Sequence, residues 1–116
     1  MGGSRRLAGG LERGEIRLYS FPAPDKARPV LILTRGEALR YLSKVTVAPV
    51  TSTIRGVASE VSLDKSDGMK HPSVVNLHNV VTVAKSGIGR RVAKLSEKKL
   101  LDVCRALNYS LGCEGP

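Results

Sequence analysis

The chain has no tryptophan, one phenylalanine and three tyrosines. With Tyr19, Phe21, Tyr41 and Tyr109 as its aromatic supply, a platform for stacking single-stranded bases is poorly provided. Cysteine is scarce too, with only Cys104 and Cys113 near the C-terminal end. If one helix carries both, nine residues of rise hold them about 13 Å apart, too far for a disulfide. Both are therefore expected as free thiols in a reducing compartment. With no third cysteine and no cluster of histidines, a structural zinc site is not expected. Walker and Rossmann glycine patterns are missing as well, so nucleotide-cofactor chemistry has no foothold, and no cofactor is expected. No apolar run approaches the roughly 18 residues of a spanning helix. The first ten residues carry two arginines but no apolar h-region, and Arg6 stands where a myristoylation motif wants Ser or Thr. The expected protein is soluble and cytoplasmic.

Positive charge is what the sequence has in excess. Lys and Arg total 19 against 10 Asp and Glu, a net charge of +9. That balance points first to a polyanion, most often a nucleic acid, although a solvated basic surface or an acidic protein partner would give the same count. Few aromatics then imply contacts through phosphates rather than stacked bases. A length of 116 residues with 41% hydrophobic content fits one domain with a single modest core.

Met1–Arg13 is Gly- and Arg-rich without periodicity and reads as a flexible leader, with the domain spanning 14–112 and a tail at 113–116. Ile16 and Leu18 alternate with Arg17 and Tyr19, a half-buried strand. Phe21 to Ala27 holds two prolines and is a loop. Pro29–Thr34 (PVLILT) is an apolar strand, Gly36–Leu42 a candidate short helix, and Val45–Val50 the next strand, ended by Thr51, Ser52 and Thr53. Alternation over Val57–Leu63 predicts a strand with Val57, Val61 and Leu63 on one face. Asp64–Pro72 is a loop. Ser73–Leu77, Val80–Ala84 and the basic Ile88–Lys94 are further strands. Ser96 and Glu97 open a closing helix whose apolar face is Leu100, Val103, Cys104, Leu107 and Leu111, and Gly112 stops it. Short strands followed by one amphipathic helix define a mainly-β α+β domain, a twisted sheet or open barrel with a helix packed on it.

No hydrolase elbow and no carboxylate pair of glycosidase type is present. Polar residues do stand at the ends of very apolar strands: Arg28 before PVLILT, and Thr51, Ser52 and Thr53 after Val45–Val50. A guanidinium fork beside hydroxyls suits phosphate oxygens. An Arg28–Asp25 ion pair and ordinary turn chemistry in the Thr/Ser cluster would fit the same spacing.

The run Lys26–Leu33 (KARPVLIL), followed by Val47–Gly56 (VAPVTSTIRG), resembles the MazF/PemK toxin family. Gly14-Glu15-Ile16, Ser73-Val74-Val75, Thr82–Lys85 and Gly89–Ser96 support it in order, so the resemblance covers roughly Gly14 to Gly112. It implies an SH3-like, CcdB/PemK-type small barrel with a C-terminal helix, and a homodimer. It also implies metal-independent cleavage of single-stranded RNA at short motifs by a toxin endoribonuclease. The family's catalytic arginine falls on Arg28 and its catalytic threonine on Thr51, with Ser52 and Thr53 as auxiliary hydroxyls. A cognate MazE-like antitoxin, through an acidic tail, is implied as the partner that occupies the RNA groove. Lys26, Arg55, Lys85, Arg90 and Arg91 are expected to track the RNA backbone, with Lys94 beside them. Many relatives carry an acidic residue and Gln where this chain has His78-Asn79, so His78 is a candidate for proton transfer or base recognition, or else a partly exposed strand-end residue. His71, before Pro72, reads as a loop residue. Two other classes compete: a CcdB-like toxin that poisons gyrase without catalysis, and a non-catalytic basic RNA-binding module.

Overall fold

The computed structural model describes residues 10–21 and 27–113. Among these residues seven antiparallel strands and one α-helix form the mainly-β α+β arrangement expected. Strand β1 (Glu15–Ser20) pairs with β2 (Ala27–Ile32) on one side and with β7 (Ile88–Lys94) on the other. β2 pairs in turn with β3 (Lys44–Thr51). The first half of β3, Lys44 to Val47, pairs with β6 (Val81–Ala84), whereas Val50 and Thr51 pair with β5 (Ser73–Asn76). β4 (Glu60–Leu63) completes the path beyond β5. One eight-residue strand thus serves two sheets, and the C-terminal end of β3 lies where β2 and β5 diverge.

Two buried clusters form where one was expected. The cause is the PVLILT run, whose successive side chains point to opposite faces of the sheet. Leu31 joins Ile16, Ala48, Val75 and Leu77 on one face, while Val30 and Ile32 join Val45, Val47 and Leu39 on the other. The helix α1 (Glu97–Leu111) closes the first face with Val103 and Ala106. Its caps are those the sequence predicts. Ser96 Oγ accepts the Lys99 N–H at 3.1 Å, and Gly112 takes the left-handed conformation (φ +70°) that ends the last turn.

Several expectations need correction. Gly36–Leu42 forms only a 3₁₀ turn at Ala38–Arg40, because Leu39 alone in that turn is buried and Glu37 provides no side-chain cap. The fourth strand begins at Glu60 rather than Val57. The Glu60 carboxylate accepts the Arg55 and Gly56 N–H groups, and Gly56 takes φ +75°, so the chain turns here and Val57 is left exposed. Leu111 is 62% exposed on the last helical turn, and Ala106 takes a buried place in the stripe instead. Residues 10–13, assigned to the leader by composition, are tied to the domain. Leu11 packs on the second cluster, and Arg13 donates to the Leu33 carbonyl and to Cys104 Sγ. Cys104 is half-buried and Cys113 exposed, both free thiols. Among the described residues no helix is long and apolar enough to cross a membrane.

Candidate active site

Where β2 and β3 diverge, a cavity of about 510 Å³ opens. Four elements wall it: the start of β2 with Arg28 and Pro29, the end of β3 with Val50, Thr51 and Ser52, the β4–β5 connection from Gly68 to His71, and β7 with Arg90 and Val92. The strand register explains the first pair. Val30 faces Pro49, Leu31 faces Ala48 and Ile32 faces Val47, so Arg28, just before that ladder on β2, and Thr51, just after it on β3, stand at the same end of the two strands. Two apolar strands therefore deliver a guanidinium and a hydroxyl to one spot from positions more than 20 residues apart in sequence.

Arg28 is exposed, and among the described residues it makes no ion pair; Asp25, its alternative partner, lies outside them. Thr51 is half-buried, and its Oγ1 accepts the Thr53 N–H at 3.1 Å. With that oxygen already accepting, the hydroxyl proton is left to be donated to a ligand oxygen. Ser52 lines the cavity as a second hydroxyl, whereas Thr53 acts through its backbone and does not line it.

The third wall is held by its own local structure. Asp64 caps the 3₁₀ turn Lys65–Asp67 by accepting the Ser66 N–H at 2.9 Å and its O–H at 2.6 Å, while Asp67 accepts the Asp64 N–H at 3.0 Å. The two bonds from Ser66, its hydroxyl first and then its N–H, hold the Asp64 carboxyl below its ordinary pKa, with the charge of Lys99 a smaller contribution. Gly68 ends the turn at φ +93°, and a Cβ there would meet Ala93 Cβ at 2.9 Å. Only glycine lets this connection lie so close against β7. Lys70 and His71 follow directly and face the cavity.

Of the expected backbone-tracking cations, Arg90 lines this cavity. Arg91 instead pairs with the buried Glu15 at 3.5 Å and lines a separate cleft with Arg17. Lys85 donates from its Nζ to the Leu39 carbonyl and does not line the cavity. Lys94 pairs with Glu12. Arg55 is exposed on the β3–β4 connection, outside the cavity, and Lys26 lies outside the described residues, as does most of the Phe21–Ala27 loop. His78 is exposed on the β5–β6 turn, where its Nδ1 shares a hydrogen bond with Ser59 Oγ, and it does not line the cavity. Sequence alone gives no site role to Lys70 or Ser73 and marks His71 as a loop residue. The one signal for Lys70 and His71 is their position in a loop between the Asp67-Gly68 turn and Pro72, and Ser73 opens β5 just beyond it.

Among the described residues lining the cavity, Arg28, Lys70 and Arg90 are cations and none is a carboxylate. That donor set suits anionic oxygens, whereas a hard divalent cation needs oxygen ligands such as carboxylates. Among the described residues no three His, Cys, Asp or Glu side chains cluster as metal ligands.

An antiparallel sheet with one C-terminal helix is the architecture of solved MazF toxins. Residues 12–111 match the family described as PemK-like, MazF-like toxin of type II toxin-antitoxin system, and the chain belongs to that family. The endoribonuclease MazF3 of Mycobacterium tuberculosis is 49% identical over 71 residues, 61% of this chain and 69% of the relative. The probable endoribonuclease MazF5 of the same species is 39% identical over 102 residues, covering 87% of this chain and 93% of its own length. The solved Mycobacterium tuberculosis toxin MazF-mt6 shares the fold at a TM-score of 0.78 and 38% identity, over 84% of this chain and 96% of that one. The CcdB/PemK-type architecture implied by the sequence is the one the chain adopts.

Proposed function

We propose that this chain is an endoribonuclease that cleaves single-stranded RNA at short motifs in the cavity between Arg28 and Thr51, without a metal ion. One observation carries the proposal. Arg28 and Thr51, from the same end of two paired strands, both line a cleft that holds cations and, among the described residues, no carboxylate.

The chemistry follows from the donors present. The RNA 2′-oxygen attacks the adjacent phosphorus, forming the O2′–P bond as the P–O5′ bond breaks. The products are a 2′,3′-cyclic phosphate and a 5′-hydroxyl. Negative charge builds on the non-bridging oxygens, and Arg28, which stays protonated, is matched to them by its fork of N–H donors. Thr51 donates its hydroxyl proton to one of those oxygens, and Ser52, which lines the same cavity, acts as an auxiliary hydroxyl beside it. Lys70 and Arg90 hold flanking phosphates by charge.

In the same proposal two copies of the chain form the RNA cleft, and cleavage in the cytoplasm halts translation and growth. A MazE-like antitoxin neutralises the toxin by laying an acidic tail where RNA would lie. The cations of the cavity suit either polyanion.

The test is the chemistry of the product ends. Cleavage in the presence of chelator is expected to leave 2′,3′-cyclic phosphate and 5′-hydroxyl ends, and a substrate 2′-deoxy at the cut nucleotide is expected to survive intact. Ends of 3′-hydroxyl and 5′-phosphate, or cutting of the 2′-deoxy substrate, would contradict the mechanism.

A further inference from the structure

The cavity is rich in proton donors and poor in proton acceptors. Arg28, Lys70 and Arg90 are protonated at neutral pH and offer N–H groups without a basic lone pair. Thr51, Ser52 and Ser73 are hydroxyls, and Ser73 is already committed, its Oγ–H donating to the His71 carbonyl at 3.0 Å. Removing the proton from a 2′-hydroxyl as it attacks requires a base. Among the described residues lining the cavity, His71 carries the one imidazole, the side-chain type most often used as a general base.

We propose that His71 is the general base of this site, a role that rests on the RNA-cleavage function above. The neutral imidazole accepts the 2′-hydroxyl proton as the O2′–P bond forms. The departing 5′-oxygen takes its proton from water, and the imidazolium returns its proton to solvent, so protons balance over one turnover.

Three features fit the role. The His71 ring makes no hydrogen bond or ion pair to the described residues, so both nitrogens are available to substrate. Its backbone is pre-set: Pro72 restricts the preceding residue to extended conformations, and Ser73 holds the carbonyl. The connection that carries it is held just upstream of His71, by the Asp64 capping box and by Gly68 against Ala93. The charged groups lining the cavity with His71 are Arg28 from β2, Lys70 from its own connection and Arg90 from β7, while β3 contributes no charged group.

The experiment measures single-turnover cleavage of a single-stranded RNA across about pH 5.5–8, where histidine titrates. It compares the wild type with His71→Gln and His71→Ala, each checked for fold by circular dichroism. The wild-type rate is expected to rise with pH and then level. His71→Gln should lose about 10²- to 10⁴-fold together with that rise, and added imidazole should restore part of the rate in His71→Ala. A His71→Gln enzyme within twofold of wild type, or one slower but with the wild-type pH profile, overturns the proposal. So does a wild-type rate that falls as pH rises, which would mark an acid instead of a base. If the wild type cleaves and Arg28→Ala does not while His71→Gln is unaffected, this inference alone fails. If the wild type cuts no RNA, the proposed function falls with it.

Discussion

The two histidines sit at opposite ends of one four-residue strand, and their surroundings are opposite too. His71, before β5, faces a cleft that also holds Arg28, Thr51 and Arg90, and its ring makes no hydrogen bond to the described residues. His78, after β5, has Nδ1 engaged by the buried Ser59 and its backbone N–H bonded to Asn76 Oδ1 at 3.1 Å, on a turn away from that cleft. A short strand thus separates a histidine with work available from one that serves its own turn. Position in a sequence pattern favours the second; the cavity favours the first.

The largest effect that tests this contrast lies outside both histidines. Arg28→Ala is expected to lower cleavage by at least about 10³-fold at unchanged fold, and Arg28→Lys to recover little, since a point charge lacks the guanidinium fork. Thr51→Val keeps the shape and removes the hydroxyl, with an expected loss of about 10²-fold in single-turnover rate. Full activity in either variant would place the chemistry elsewhere.

Next comes the contrast itself. His78→Gln and Ser59→Ala are expected to cleave within about twofold of wild type with the same pH profile, because neither side chain lines the cavity. If His78→Gln, rather than His71→Gln, removed the pH dependence, the assignment would be reversed. Smaller again, Lys70→Ala and Arg90→Ala should each reduce the slope of log affinity against log salt by about one, while Lys85→Ala should not. Lys85 is spent on the Leu39 carbonyl. Equal slopes in all three would remove the distinction between cavity cations and structural ones.

The smallest effect concerns the wall that carries His71. Its Asp64 carboxyl sits below its ordinary pKa of 3.8, so the stabilisation it gives is fully present above that value and is lost as pH falls through the lower folded pKa. Wild type should therefore melt slightly above Asp64→Ala at pH 7, with the gap closing below about pH 3.8. A gap that widened in acid would show the cap is not held by the carboxylate.

Much of this architecture is legible in the chain because it is local. Alternating and apolar runs mark strands through their period, and Ser96 and Gly112 mark the helix ends through the hydrogen bonds those residue types make. Arg28 and Thr51 are legible for a related reason, each adjoining an apolar strand in a pattern shared with a known family. What sequence misses is set by distant contacts. The second buried cluster exists because Leu39, Val45, Val47 and Val83 cover the Val30 and Ile32 face of the PVLILT strand, and Arg13 is anchored by Cys104, 91 positions away. Lys85 looks like any surface cation until the Leu39 carbonyl is seen beside it. His71 looks like any loop residue until Gly68 lets its connection close on β7 and complete the cleft.

The most direct measurement is incubation of a long single-stranded RNA with purified wild type and Arg28→Ala in excess chelator, with the cut sites mapped. The account requires discrete cuts at a short recurring motif by wild type and none by the variant, at equal fold by circular dichroism. Intact RNA under the wild type, or identical cutting by both proteins, would contradict it.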